Sequence, residues 1–579
     1  MMKINEIIDS VRTEIVRLEN PSNRSRYFIY GKISEECSAS SYSVCYNNFP
    51  ERVTRDIQYV SIALFKVGDV FIEGMFEPKN NCLKIIFNSK SFIDMGLGVS
   101  HFSKITDYGI EYVMDNRRLI GDLLNYLTAK QSFDNYIGSG LMDCHGPAKL
   151  TENYPIQVQC ELNESQNNSI LKALTQNITF IWGPPGTGKT KTIGALAARL
   201  LKNGKRVLLT ALSNKALDQL ILSTLEMSAP LIKNNIYTAR LGNVNAMHED
   251  LKIFSFESFK NGRNKIKKLS LSWPEHVNLC TCVAATFTAI VSSKTPDPGY
   301  VDYVIADEMS MASIPNIIAA SYHAKNGIVL GGDPMQLPPI YPEGAAIPNE
   351  YFSSNIFDMA KVQRHDERTA FLDTQYRMQQ PIGDLVSKIF YGGELKTGTA
   401  KNELKGEFKS NIIFVNKIGK IETVNGNIIS EKEERRYNSG HSAVIAEYVI
   451  KLLKDYKPSD IGVIAPYNAQ VVKIKEELKK MVVSVNISED EVNKIQVSTI
   501  HSFQGQEKSA IIMNICDENV RPTRLTAKKE LINVAISRAK ELLIIVGNKD
   551  YILNPEYFSD DEIKIFKAIV DSAEVINCD

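Results

Sequence analysis

Phe180-Ile-Trp-Gly183-Pro184-Pro185-Gly186-Thr187-Gly188-Lys189-Thr190 is the stretch that decides the fold. It reads as a short apolar strand, a glycine-rich loop of the pattern G-x-x-x-x-G-K-[ST], and the start of an Ala/Leu-rich helix. The glycines let backbone N–H groups turn inward around a phosphate, and the helix that follows offers its positive end. Lys189 suits the β- and γ-phosphates and the Thr190 hydroxyl suits Mg²⁺. Ordinary residue frequencies produce the pattern by chance roughly 0.02 times in a chain this long. A strand before and a helix after are what the mechanism requires.

Working outward, apolar runs recur at FIWG, RVLLTAL, LCTCVAAT, YVIADE and GIVLGGD, each followed by helical or loop sequence. That is how a parallel sheet flanked by helices is written. A second series follows beyond residue 370: NIIFVN, IGVIAPY, KIQVSTI, SAIIMNI and LLIIVGN. The chain of 579 residues is too long for one core, and two successive α/β sheet domains account for most of it.

The amino-terminal part has a different texture. Ile4, Ile7, Ile8, Val11, Ile15 and Leu18 share one helical face, and Leu119, Ile120, Leu123, Leu124 and Leu127 mark a second helix. Between them lie β-rich runs, with a hairpin turn predicted at Lys79-Asn80-Asn81. A small β-barrel on a two-helix stalk fits this order. Residues 221–277 read as extra, mostly helical sequence carrying the basic run Lys260, Arg263, Lys265, Lys267 and Lys268. Such a run reads as a solvated face or as a contact for a polyanion.

Composition bounds the rest. Hydrophobic content of 44% with 23% charge is that of a globular protein. No stretch approaches the roughly 18 uninterrupted apolar residues of a membrane helix, and the opening residues do not read as a secretory signal. Nine scattered cysteines, with Cys280 and Cys282 inside an apolar run, read as reduced buried thiols of a cytoplasmic protein. Charge is balanced at 67 basic and 67 acidic residues, so a nucleic-acid ligand would need a local groove.

Further motifs complete the site. Val301 to Glu308 is an apolar strand ending in two acids; Asp307 suits Mg²⁺, and Glu308 suits orienting and deprotonating the attacking water. Gly332 to Pro339 follows another strand, and the uncharged amide of Gln336 suits a sensor of the γ-phosphate. A transition state of phosphoryl transfer needs positive charge, and Arg377 in QYRM and Arg538 in NVAISRA are candidates from the second sheet domain.

As an ordered set these residues resemble the superfamily 1 (1B) helicases, in the subgroup of the nonsense-mediated-decay RNA helicase, senataxin and the Okazaki-fragment nuclease-helicase. The resemblance runs from about residue 160 to 550: LNESQ, the P-loop, ALSNKALDQL (211–220), ADEMS, GGDPMQLPP, TQYRM, IAPYNAQ (464–470), VSTIHSFQGQE (497–507) and NVAISRAK (533–540). It implies an α/β fold with tandem RecA-like P-loop domains. Their expected limits are 1–150 for the stalk and barrel, 151–365 for the first domain with a helical insertion at 221–277, and 366–579 for the second.

The resemblance also implies residue roles. Gln166 would read adenine with Tyr376 near the base. Lys189, Thr190, Asp307, Glu308, Gln336, Arg377, Gly505, Glu507 and Arg538 would line a cleft for ATP and Mg²⁺ between the two sheets. Ser213, Asn214, Pro466, Tyr467, Thr499 and His501 would follow a strand across the tops of both domains. The implied activity is ATP-dependent 5′-to-3′ movement on single-stranded DNA or RNA. An ATP-gated clamp that remodels ribonucleoprotein without processive unwinding would use the same cleft. Two departures stand out: Met309 occupies a position that is usually small, and neither a zinc module nor a nuclease motif is present in the sequence.

Overall fold

The computed structural model of the chain describes residues 2–578, apart from 20–25, 30–31, 39–40, 48–61, 68–69, 80–81, 89–109, 115–116, 132–135, 143–147, 151–161, 229–236, 263–270, 293–294, 342–348, 399–403, 424–435, 486–487, 504 and 522–527. Between 26 and 114 it gives the course of the strands alone. These are β1 (Arg26–Ile29), β2 (Lys32–Ser38), β3 (Ser41–Asn47), β4 (Ile62–Val67), β5 (Val70–Lys79), β6 (Cys82–Asn88) and β7 (Ile110–Met114). They pair antiparallel in the order β1-β7-β4-β5-β6-β3-β2, and Lys79 faces Cys82 across the expected hairpin. A barrel was expected here; among the described residues no ladder joins the edge strands β1 and β2.

The first P-loop-type sheet contains β8 (Ile178–Trp182), β9 (Val207–Ala211), β10 (Thr238–Arg240), β11 (Cys282–Thr286), β12 (Val301–Asp307), β13 (Ala324–Gly332) and β14 (Thr369–Phe371). All its ladders are parallel, in the order β10-β11-β9-β12-β13-β8-β14. Successive residues alternate between faces, as the pleat requires. Phe180, Leu208, Val304 and Leu330 share one core with Ile7, Val11, Leu123 and Leu127 of the stalk helices Met2–Glu19 and Arg117–Lys130. Ile181, Leu209, Ile305 and Val329 share the other with Ile193, Leu196 and Leu200 of the helix Lys189–Lys202. The stalk and the P-loop helix thus cover opposite faces of one sheet. Met309 fits the stalk-side core without exposure.

Short ladders join β15 (Thr374–Gln375) to β16 (Lys396–Thr397) and β18 (Ile421–Thr423) to β19 (Arg436–Asn438). The second large sheet contains β17 (Ile412–Lys417), β20 (Ile461–Ala465), β21 (Gln496–Thr499), β22 (Lys508–Asn514), β23 (Ala539–Gly547) and β24 (Glu574–Cys578). It too is parallel throughout, in the order β21-β20-β22-β23-β17-β24.

Two expected boundaries move. β14 hydrogen-bonds to β8, so the first domain runs past residue 365 to Phe371. Much of 221–277 is not inserted either: the helix Asn214–Ser228 absorbs its start and β10 joins the main sheet. What lies between β10 and β11 is a set of short turns and helices, Val244–Ala246, Glu249–Phe254, Phe256–Lys260 and Trp273–Leu279. Of the basic run only Lys260 falls among the described residues. No helix among them is long and apolar enough to cross a membrane.

Candidate active site

The expected residues gather at the carboxyl ends of β8, β9, β12 and β13, where loops leave a parallel sheet and ligands are commonly held. The P-loop leaves β8 and turns twice through left-handed backbone, at Gly186 (φ 76°) and Gly188 (φ 73°). A side chain is excluded at both: a Cβ at Gly188 would meet Gln166 Nε2 at 2.8 Å, and one at Gly186 would meet Arg377 Cβ at 2.6 Å. Thr187 donates its hydroxyl to the Pro184 carbonyl at 2.7 Å, and Gly183, Pro184 and Pro185 are buried beneath the loop.

β12 delivers Asp307 and Glu308 beside the loop. Lys189 Nζ forms an ion pair with Asp307 Oδ1 and lies 3.2 Å from Glu308 Oε1. Thr190 Oγ1 donates to Asp307 Oδ2 at 2.7 Å. Burial would lower the Lys189 pKa, but the two acids outweigh it and push it up, so the ammonium stays charged. Glu308 itself has φ 61° and ψ 39°, a left-handed conformation that costs a non-glycine residue roughly 1–2 kcal/mol. A hydroxyl and a carboxylate side by side form a hard oxygen pair that fits Mg²⁺, an ion that keeps most of its waters.

The second domain closes over this set. The Tyr376 amide donates to the Gly186 carbonyl at 2.9 Å, which brings QYRM onto the P-loop. Arg377 Nε donates to Glu507 Oε2 at 2.5 Å, and Lys540 Nζ lies 2.6 Å from Glu507 Oε1. Burial alone would raise the Glu507 pKa; Arg377 and Lys540 reverse this and hold it low. Gly505 turns the chain (φ 72°) just before it. Arg538 is only 3% exposed and donates to the Val534 and Gln506 carbonyls and to Gln336 Oε1, the last at 3.3 Å. Among the described residues no carboxylate pairs with it. Burial and the neighbouring Arg377 push its pKa down to about 9. A buried cation held only by neutral acceptors is costly, and an incoming anion relieves it.

Gln166 caps its helix: Oε1 accepts from the Asn163 amide and Nε2 donates to the Thr187 carbonyl, both at 2.9 Å. Tyr376 is 48% exposed nearby, its hydroxyl accepting from Asn163 Nδ2 at 2.8 Å.

The residues expected along the strand fall less evenly. Ser213 and Asn214 line a cavity of about 330 Å³ with Lys215, Gln219 and His248. Ser213 Oγ caps the helix at Ala216, and Asn214 Oδ1 accepts from the fully buried Arg240 at 2.7 Å. Pro466 and Thr499 are buried at the ends of β20 and β21. Tyr467 is a correction: it is 1% exposed and its hydroxyl is spent on the Asp517 carboxylate at 2.7 Å, so it supports the surface from below instead of lining it. The His501 side chain lies outside the described residues. Among those described, no three His, Cys, Asp or Glu residues form a metal cluster, and Cys280, Cys282, Cys516 and Cys578 are free. Sequence reasoning passed over Asp333, Tyr391 and Asn533, although Asp333 stands in GGDPMQLPP and Asn533 opens NVAISRAK.

Comparison with known proteins finds matching family models, sequence relatives and solved structures. Residues 161–272 and 352–550 each match a family described as AAA domain. The chain is 29% identical over 458 residues to the DNA polymerase alpha-associated DNA helicase A of Saccharomyces cerevisiae, with 67% of this chain and 65% of that protein covered. It is 30% identical over 424 residues to the DNA replication ATP-dependent helicase/nuclease DNA2 of Xenopus laevis, covering 67% and 37%. It thus spans less than two thirds of the length of these relatives. Among solved structures, the arterivirus nonstructural protein 10 helicase matches with a TM-score of 0.34 at 12% identity, over 90% of this chain and 77% of that one.

Proposed function

We propose that this chain, which belongs to the superfamily 1 helicases and is an ATP-hydrolysing enzyme, moves along single-stranded nucleic acid by closing and reopening the cleft between its two parallel sheets. The observation that carries this reading is Arg538: a buried guanidinium from the second domain, beside Gln336 of the first and hydrogen-bonded to no carboxylate among the described residues. Such a charge is stabilised by the phosphoryl group in flight, and only while the domains are apposed.

The residues divide the work. The P-loop amides and Lys189 bind the phosphates, so Lys189 exchanges its acids for the nucleotide. Thr190 and Asp307 would hold Mg²⁺, which when bound neutralises charge on the phosphate oxygens. Glu308 takes the proton of the attacking water, and Arg538 with Arg377 stabilises charge on the γ-phosphate. Asn163, Gln166 and Tyr376 surround the place of the base. Binding of ATP favours the closed state and its loss the open one, which is the differential affinity a motor cycle requires. Ser213 and Asn214 beside their cavity supply the first domain's grip, and movement runs 5′ to 3′.

Glu308→Gln should bind ATP normally and lose turnover; near-wild-type hydrolysis would refute the reading. ATPase activity titrated with matched single-stranded DNA and RNA should rise with at least one of them. Strand displacement in parallel separates a helicase from a clamp, because a clamp hydrolyses without displacing.

A further inference from the structure

Asp333 is a buried carboxylate that receives four donors. Its Oδ1 accepts from Trp182 Nε1 at 3.0 Å and from the Met335 amide at 3.1 Å. Its Oδ2 accepts from Gln336 Nε2 and from the Tyr391 hydroxyl, both at 2.6 Å. Burial pushes its pKa up, while the four donors favour the ionised form. An ionised carboxylate only accepts, so the NH₂ end of the Gln336 amide must face it. The Gln336 carbonyl is thereby left to Arg538.

Tyr391 belongs to the other domain. It follows the helix Gln380–Phe390, is fully buried, and accepts from Asn533 Nδ2 at 2.9 Å. The same Nδ2 donates to the Met335 carbonyl at 2.7 Å, so two hydrogen bonds cross from the second domain to the loop that carries Gln336. Asn533 Oδ1 is buried with no hydrogen-bond partner, which leaves this closed arrangement short of full satisfaction and easier to release.

We infer that Asp333, Tyr391 and Asn533 form an interdomain latch that presents the Gln336 carbonyl to Arg538 only when the two domains are apposed as they are here. These three are positioning residues: they act through Gln336 and Arg538 and touch no reacting atom. The inference rests on the hydrolysis reading above and adds to it a second contact that registers closure, behind the nucleotide. Opening withdraws the Tyr391 hydroxyl and the Asn533 amide together, and the loop that carries Gln336 loses both ties to the second domain.

Tyr391→Phe keeps the ring and removes the crossing hydroxyl. It should lower kcat for ATP about tenfold, with KM changed less than twofold and the unfolding midpoint unchanged. Asp333→Asn should give a similar loss, and the double variant should be no worse than the more severe single one, because both break one connection. A purely structural role would instead lower the unfolding midpoint and give additive losses, and either result overturns the latch. If Tyr391→Phe does not fold, Asn533→Leu asks the same question, and wild-type kcat there overturns it equally. Glu308→Gln separates the two claims. Turnover in that variant refutes the hydrolysis reading; a dead Glu308→Gln beside a fully active Tyr391→Phe refutes the latch alone.

Discussion

At Glu308 the chain leaves β12 in left-handed backbone, and the side chain is held 3.2 Å from Lys189. Strain at a non-glycine residue persists only where something else requires it. Glu308→Gly should therefore abolish turnover while stability stays within about 1 kcal/mol of wild type, since relief of the strain offsets the added freedom of the unfolded chain. Chemical denaturation beside an ATPase assay measures both, and a loss of several kcal/mol would contradict this account. Arg538 makes the opposite case. Its three hydrogen bonds use the guanidinium fork, which an ammonium cannot reproduce, so Arg538→Lys should lower kcat by on the order of 10³ despite keeping the charge. At this scale the residues legible in the sequence were those whose neighbours are local or whose chemistry is fixed by type, such as Lys189, Thr190 and Asp307. Asp333 was passed over, because Trp182 and Tyr391 reach it from far along the chain. Tyr467 misled for the same reason: nothing beside it in sequence announces Asp517.

Elements were legible in proportion to their burial. All ten apolar runs of the two sheet domains became strands, because a strand covered on both faces is written as a continuous apolar run. Of the strands in the two large parallel sheets, those that escaped notice, β10, β14 and β24, are edge strands, and sequences such as Thr238–Arg240 or Glu574–Cys578 carry too little apolar signal to stand out. The stalk helices were visible from one face each, and that face is the one that packs. Leu127 of the stalk is fully buried, and Leu127→Ala should cost about 2–5 kcal/mol, read as a fall in the thermal midpoint. The same junction titrates. His323 donates through Nδ1 to the Gly299 carbonyl and accepts at Nε2 from the Tyr126 hydroxyl of the stalk, both at 2.9 Å. Burial lowers its pKa, aided by Lys130 and Arg206 and opposed by Asp297. A lowered folded pKa means that the unfolded state binds the proton first, so this contribution is intact above the ordinary value of 6.5 and is lost as pH falls below it. The thermal midpoint should drop on acidification through that value, and less steeply in His323→Gln.

For the whole molecule the decisive geometry is contact between domains. Gly186 and Arg377 approach so closely that no side chain fits, which makes the closed state dependent on a missing Cβ. Gly186→Ala should reduce ATP turnover by at least tenfold while leaving the fold of each domain intact, because a carbon placed at 2.6 Å holds the domains apart. Circular dichroism and turnover of the same preparation check this together. Balanced net charge implies that salt acts on a local groove, so the slope of single-strand affinity against salt should report only the few phosphates that the groove contacts. The connection between domains has a mechanical side as well. Before the chain enters the second domain it runs as β14, hydrogen-bonded in parallel to β8, whose end is the P-loop. A pull on the second domain therefore loads the neighbouring strand in shear before it reaches anything else. Tension opposing movement along a track would be felt first at the phosphate loop, and ATP consumption in a single-molecule trap should slow in step with the opposing force.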